Sequence, residues 1–311
     1  MPTMLGQNQY GKAENRVVRI TRDGATHHIK DLNVSVALSG AMDDVHLSGS
    51  NAHVLPTDTT KNTVYAFAKE YGIDSAEQFG IHLARWFVGS QEPIQKARIR
   101  IEEYAWGRIA ASETALETAS GLIGADEVNH SFVRQGAETR VTQVTYDGVR
   151  WEVVSGLKDL TVLNSTNSEF WGYAKDKYTT LREAYDRILA TEVSGRWRFS
   201  WSDDAQQMPH WEKSYAETRK HMLQAFAETR SLSLQQTLYQ MGSRIVDHRP
   251  EIDEVRFSLP NKHHFLVDLE PFGLSNDNEV YFAADRPYGL IEATVLRDGA
   301  EARIPVDMTN L

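Results

Sequence analysis

A chain of 311 residues with 41% hydrophobic and 24% charged residues has the composition of an ordinary globular protein with a sizeable core. At roughly 100–200 residues per domain, its length suits two units. The absence of cysteine excludes disulfides, thiolate nucleophiles and Cys-ligated zinc or iron–sulfur sites, and a formal net charge of -10 without a long basic run argues against a nucleic-acid partner, while a small anion remains compatible with a locally positive pocket.

No apolar run approaches the ~18 residues a membrane helix needs, and the N-terminus MPTMLGQNQYGKAENR lacks the apolar stretch of a signal peptide, so no membrane contact and a cytoplasmic setting are expected. Arg16 to Arg22 alternates weakly, Asp23-Gly24 is a turn signal, and Leu32, Val34, Val36 and Leu38 share one face of a second run, which predicts a β-hairpin. A helix is predicted from Thr57 or Asp58 to Gly72. A second should begin after Asp74, with Glu77 three residues on at capping-box spacing, and bury Phe79, Leu83, Trp86 and Phe87. Ala97 to Trp106 and Ser131 to Gln135 read as strands. From Val141 the hairpin pattern recurs as VTQVTY, Asp147-Gly148 and VRWEVV.

Thr166 with Glu169 and Thr180 with Glu183 have capping-box spacing, the latter predicting a helix through Tyr185, Ile188 and Leu189. A long helix follows around Trp211 to Thr229. Ser233 with Gln236 opens another, with Leu234, Leu238, Met241 and Ile245 as its apolar stripe. Glu254 to Leu259 and Phe265 to Leu269 read as strands, and the tail has strand-like pieces around Arg286 to Gly289. Strands, helices and strands in succession predict an α+β arrangement, antiparallel sheets with helices on one face. VLPTDTTKNTVYAFAKEY, from Val54, echoes VLNSTNSEFWGYAKDKY, from Val162, and suggests a duplication into residues 1–138 and 139–311.

Thr57, Asp58, Phe170 and Gln235 all fall at predicted helix starts, where free backbone N–H groups favour an anion; each is equally an ordinary cap or core residue. Phe170 would offer a flat face to a planar heterocycle. Arg187 would hold two acceptor atoms of a flat anion, or simply pair on the surface with Asp186. Asn261, Lys262 and His263 fall between two predicted strands, where His263 would suit a proton relay near neutral pH or be a plain surface histidine. Lys12 is by composition an unremarkable lysine. The pairs His27-His28 and His263-His264 point to opposite faces of a strand, and no metal-binding, P-loop, GxSxG or dinucleotide motif occurs.

Taken together, YGKAENRV (Tyr10–Val17), PTDTTKNTVY (Pro56–Tyr65), LTVLNSTNSEFWGYAKDKYTTL (Leu160–Leu181), DRIL (Asp186–Leu189), LSLQQTLYQM (Leu232–Met241) and SLPNKHHFLVDL (Ser258–Leu269) closely resemble urate oxidase over nearly the whole chain, and suggest a bacterial member. The resemblance implies two tandem tunnelling-fold (T-fold) domains, subunits that join their sheets into a barrel, and a homotetramer with active sites at subunit interfaces. It implies oxidation of urate by O2 and water to 5-hydroxyisourate and hydrogen peroxide, without metal or organic cofactor. By the same resemblance Phe170 stacks under the purine, Arg187 and Gln235 clamp its polar edges, and Leu234 contributes a backbone N–H. Asn261 and His263 stand near water and dioxygen; Thr57 and Asp58 come from a neighbouring subunit; Lys12, Thr57 and His263 form a proton relay. His264 departs from the tyrosine of some relatives, and the C-terminal DMTNL lacks the peroxisomal Ser-Lys-Leu, in keeping with a cytoplasmic enzyme. A pterin-processing T-fold enzyme, which would anchor its substrate with glutamate where Gln235 stands here, and a non-catalytic purine-binding protein are the rival readings.

Overall fold

The computed structural model describes residues 3–23, 26–112 and 130–306; Gly24 of the expected turn lies outside them. Contacts divide the chain into two units, one running up to Ser155 and including Trp201–Trp211, the other comprising Gly156–Ser200 and Glu212 onward.

In the first unit, β1 (Tyr10–Asp23) and β2 (Thr26–Gly40) pair antiparallel. After the short helix α1 (Asp44–Leu47) come α2 (Thr57–Glu70) and α3 (Ala76–Ser90), then β3 (Ile94–Tyr104). β4 (Trp106–Arg108) and β5 (Phe132–Arg134) form a small side ladder, and β6 (Thr139–Tyr146) returns alongside β3. The main sheet therefore runs β1-β2-β3-β6. Period-two alternation puts Leu32, Val34, Val36 and Leu38 with Ala97, Ile99 and Ile101 on one buried face. The helices cover it, α2 against β1 and α3 against β3 and β6, burying Val64, Phe79, Leu83 and Phe87 at about 1.5–3 kcal/mol for each large side chain.

Two helix-start readings need correction here. The α2 N-cap is Pro56, with no side-chain cap bond, so Thr57 and Asp58 are first-turn residues rather than caps. The α3 cap is Ser75, which accepts from the Gln78 N–H. Glu77 is instead almost fully buried, its carboxylate accepting from Arg140, Thr142 and Ser155; a capping box would have kept it at the rim. Trp86 is 48% exposed, because it lies at the border of the helical stripe rather than on its centre.

In the second unit, β7 (Trp151–Asn164, here from Gly156), β8 (Leu189–Phe199), β9 (Ile252–Lys262) and β12 (Gly289–Leu296) form a sheet in that order. The helices α4 (Trp211–Glu228) and α5 (Leu234–His248) lie between β8 and β9 in sequence, and α5 packs on β9 and β12. β10 (His264–Leu266) pairs with β11 (Tyr281–Ala283) as a side ladder.

Apart from the short α1 and the two side ladders, each unit thus has the order strand, strand, helix, helix, strand, strand. A close approach recurs as well: a Cβ on Gly80 of α3 would meet Val144 of the fourth strand at 2.8 Å, and one on Gly242 of α5 would meet Val295 of the fourth strand at 2.5 Å. The echo between Val54 and Val162, however, aligns helix α2 with the loop between β7 and β8; the helix in the position of α2 is α4. β6 does turn at Asp147-Gly148 into β7, with Gly148 at φ 89°, yet it is also the fourth strand of the first sheet. Among the described residues, no helix is long and apolar enough to cross a membrane.

Candidate active site

The expected site residues fall into two sets, one in each unit. Lys12, Thr57 and Asp58 belong to the first. Between Lys12 and Asn15 the β1–β2 register slips through a bulge, with Glu14 at φ 57°, and a bulge of this kind re-aims the side chains beside it. Asn15, 5% exposed, pins it by donating to the Lys12 and Val34 carbonyls at 3.2 and 2.9 Å. Gly11 is required next to it, since a Cβ there would sit 1.9 Å from the Val36 oxygen. The half-buried Lys12 ammonium makes no hydrogen bond or ion pair with another described residue, and its charge helps to hold Asp58 below the usual carboxylate range. The larger cause of that shift is the hydrogen bond from Lys61 at 2.5 Å.

Thr57 is half-buried and its hydroxyl is likewise unengaged among the described residues. The segment leading into it is tied to β1, because Leu55 N–H donates to the Tyr10 hydroxyl at 2.9 Å. Neither Asn15 nor Tyr10 was singled out by sequence reasoning; the signal was the GKAEN run, whose bulge cannot be seen without the partner strand.

The second set is Phe170, Arg187, Leu234, Gln235, Asn261 and His263. Residues 165–188 are not helical, contrary to the two capping boxes read from the sequence. Their acidic members are engaged elsewhere: Glu169 accepts from Trp171 Nε1 at 2.8 Å and from Arg230, and Glu183 from Lys175 and Tyr185. Left-handed backbone at Asn167 and Gly172 bends the chain away from a helix. Phe170 instead sits in an antiparallel bridge, exchanging two hydrogen bonds with Ala184 at 2.7 and 2.9 Å. Its ring lies nearly parallel to Tyr173, centroids 5.0 Å apart.

Arg187 enters β8 from this loop rather than from a helix. It does not pair with Asp186, which accepts from Thr166 at 3.0 Å. Its Nε donates to Ser168 Oγ at 3.2 Å, its backbone N–H to the Ser168 carbonyl at 2.9 Å, and its Cζ stands 5.3 Å from the centre of the Phe170 ring. The two terminal guanidinium nitrogens have no partner among the described residues, and burial pulls the pKa down.

At the start of α5, Ser233 caps the Gln236 N–H at 3.1 Å as the sequence predicts, while the Gln236 side chain accepts at 2.8 Å from the N–H of Leu232, one residue before the cap, rather than from Ser233 itself. Leu234 is thereby turned into the core at 2% exposure, and Gln235 is exposed with its amide free among the described residues. Asn261 and Lys262 prove to be strand residues, since β9 runs through Pro260. The pairing with β8 passes over Leu259 and Pro260, which has no N–H to give, and resumes at Thr191–Asn261. His263 is the single-residue break between β9 and β10, and its pKa is lowered by burial first, then by the positive charge of Arg187 and by His264. His264 Nδ1 lies 3.1 Å from the Lys262 carbonyl oxygen.

The second set therefore offers an aromatic face, a forked cation, a free amide and a histidine held neutral, a combination suited to a planar, carbonyl-rich anion. Among the described residues, no group of three or more His, Asp or Glu side chains is arranged to hold a metal ion.

The profile of the Uricase family matches residues 8–145 and 153–292. The uricase of Arthrobacter globiformis is 47% identical over 303 residues, covering 97% of this chain and 93% of its own. That of Aspergillus flavus is 34% identical, covering 95% and 98%. The crystal structure of the Arthrobacter globiformis uricase superposes with a TM-score of 0.88 over 98% of this chain and 99% of that one. A uricase from Bacillus fastidious, at 22% identity and a TM-score of 0.75 over 94% of each chain, shares the fold. The two units are accordingly tandem T-fold domains, and the chain belongs to the uricase family.

Proposed function

We propose that this protein oxidises urate by O2 and water to 5-hydroxyisourate and hydrogen peroxide, with no metal or organic cofactor. The observation that carries the reading is the half-buried Arg187 guanidinium, tethered at Nε to Ser168 and poised over Phe170 with both terminal nitrogens unengaged among the described residues. A planar urate anion would stack on Phe170, with the Arg187 fork and the Gln235 amide gripping its polar edges and the Leu234 backbone N–H adding a donor. Urate is electron-rich, and loss of a further proton makes it able to pass an electron to O2. The protein then has to bind the anion, move protons and hold O2 in place.

His263, kept neutral by burial and by Arg187, is able to accept a proton; it would work with Thr57 and with Lys12 as terminal base, while Asn261 and His263 hold water and dioxygen over the ring. Thr57 and Asp58 would be supplied by a neighbouring chain of a homotetramer, so that an isolated chain is inactive.

Incubating the protein with urate in air, and following both loss of the urate ultraviolet absorbance and formation of peroxide, tests the reaction. Equimolar loss of urate and gain of peroxide is expected. Tight urate binding with neither signal would favour a non-catalytic purine-binding protein, and turnover of a pterin without turnover of urate would favour the pterin reading. Lys12→Met and Thr57→Ala test the relay: unchanged urate turnover in either would remove it.

A further inference from the structure

The loop carrying Phe170 and Arg187 meets the start of α5 through two serines with no exposed surface, Ser168 and Ser231. They face each other in a parallel bridge, with Glu169 N–H donating to the Ser231 carbonyl at 2.7 Å and Ser231 N–H to the Asn167 carbonyl at 2.9 Å. On one side Ser168 takes both the backbone N–H and the Nε–H of Arg187. On the other, the Ser231 hydroxyl accepts from Thr237 Oγ1 at 2.8 Å and donates to the Ser233 carbonyl at 3.1 Å, fixing the N-cap residue that immediately precedes Leu234 and Gln235. Thr237 is also fully buried.

We infer that Ser168 is a positioning residue for substrate recognition: by accepting from Arg187 Nε it fixes the plane of the guanidinium, and through its bridge to Ser231 it sets the separation between Arg187 and the first turn of α5. This rests on the reading that Arg187 and Gln235 grip urate. A guanidinium has three nitrogens in one plane, and anchoring Nε leaves the outer two pointing together as a fork. Without the anchor, the side chain regains rotamer freedom that substrate binding must then remove. A hydroxyl is the smallest acceptor that fits a site with no exposed surface, and its partner is charged, which makes the bond stronger than a neutral pair.

The test is a double-mutant cycle on the full-length protein. Ser168→Ala should raise KM for urate by about tenfold or more, the usual weight of a hydrogen bond to a charged group, with a smaller change in kcat. Ser168→Cys, which keeps a small side chain and a weaker acceptor, should fall between. In an Arg187→Lys background, which has no Nε–H to hold, Ser168→Ala should cost less than about twofold further. A crystal structure of Ser168→Ala should show the guanidinium rotated out of its original plane, a readout independent of turnover. Kinetic constants for Ser168→Ala within about twofold of the parent, losses that multiply fully in the Arg187→Lys background, or an unmoved guanidinium would each overturn the assignment. If Arg187→Lys leaves urate kinetics unaltered while the guanidinium does move in Ser168→Ala, the urate clamp fails and the positioning of Arg187 by Ser168 stands.

Discussion

The Arg187 guanidinium stands over the Phe170 ring at 5.3 Å, and the two residues are joined by backbone hydrogen bonds through Ser168 and Ala184. The aromatic face and the cationic fork are therefore parts of one loop. Phe170→Ala removes the ring but leaves its backbone bridge, so the fold should survive while kcat/KM for urate falls by roughly 10- to 100-fold, in line with loss of stacking and buried contact. Steady-state kinetics beside a thermal melt separate the two effects.

Partial burial, then the charges of Arg187 and His264, lower the His263 pKa from its ordinary value of 6.5. If the neutral imidazole accepts the proton, activity is lost as pH falls through this lowered pKa, so the acid limb should lie below that of a free histidine. Arg187→Gln removes one of the causes that lower it and should shift the limb of the residual activity upward. A pH profile of kcat/KM in both proteins decides it.

Thr57 opens α2 without capping it. Thr57→Ala should therefore change stability by less than about 0.5 kcal/mol, whereas Ser75→Ala and Ser233→Ala, which remove real caps, should each cost about 1 kcal/mol. Chemical denaturation measures all three, and a large loss for Thr57→Ala would mean that its hydroxyl has a structural task.

Tyr10→Phe withdraws the acceptor from Leu55 N–H. Stability should drop by about 1 kcal/mol. Urate turnover should fall several-fold, roughly what a slight misplacement of a catalytic group brings about, because the segment entering Thr57 loses its tie to the strand that carries Lys12. Comparing Tm with kcat shows whether the second effect exceeds the first.

Glu77→Ala takes from the Arg140 guanidinium, itself 8% exposed, its 2.7 Å carboxylate partner and leaves it Glu103, 3.5 Å from Nη1. Removing one partner of a buried pair costs about 3–5 kcal/mol when the other is left alone; with Glu103 still beside Arg140 the loss should lie at the lower end, about 3 kcal/mol, measured by urea unfolding.

The sequence by itself determined what depends on local pattern. Period-two alternation at Leu32 to Leu38, the stripe Leu234, Leu238, Met241 and Ile245, and the Ser233 cap on Gln236 all stand in the structure as read, because each is fixed by a few neighbouring residues and one buried face. The motifs of the uricase family were legible too, and with them the candidate site. Only the tertiary structure decided the rest. Thr166–Glu169 and Thr180–Glu183 satisfy a helix-start pattern, yet Arg230, Trp171, Lys175 and Tyr185 bind their carboxylates, and Ser231 and Ala184 supply the partners that make the chain a bridged loop. Glu77 reads as a cap residue until Arg140, distant in sequence, closes on it, and the bulge that re-aims Lys12 exists only against β2. In each case the local pattern alone does not settle the conformation, and hydrogen bonds to residues outside that pattern do.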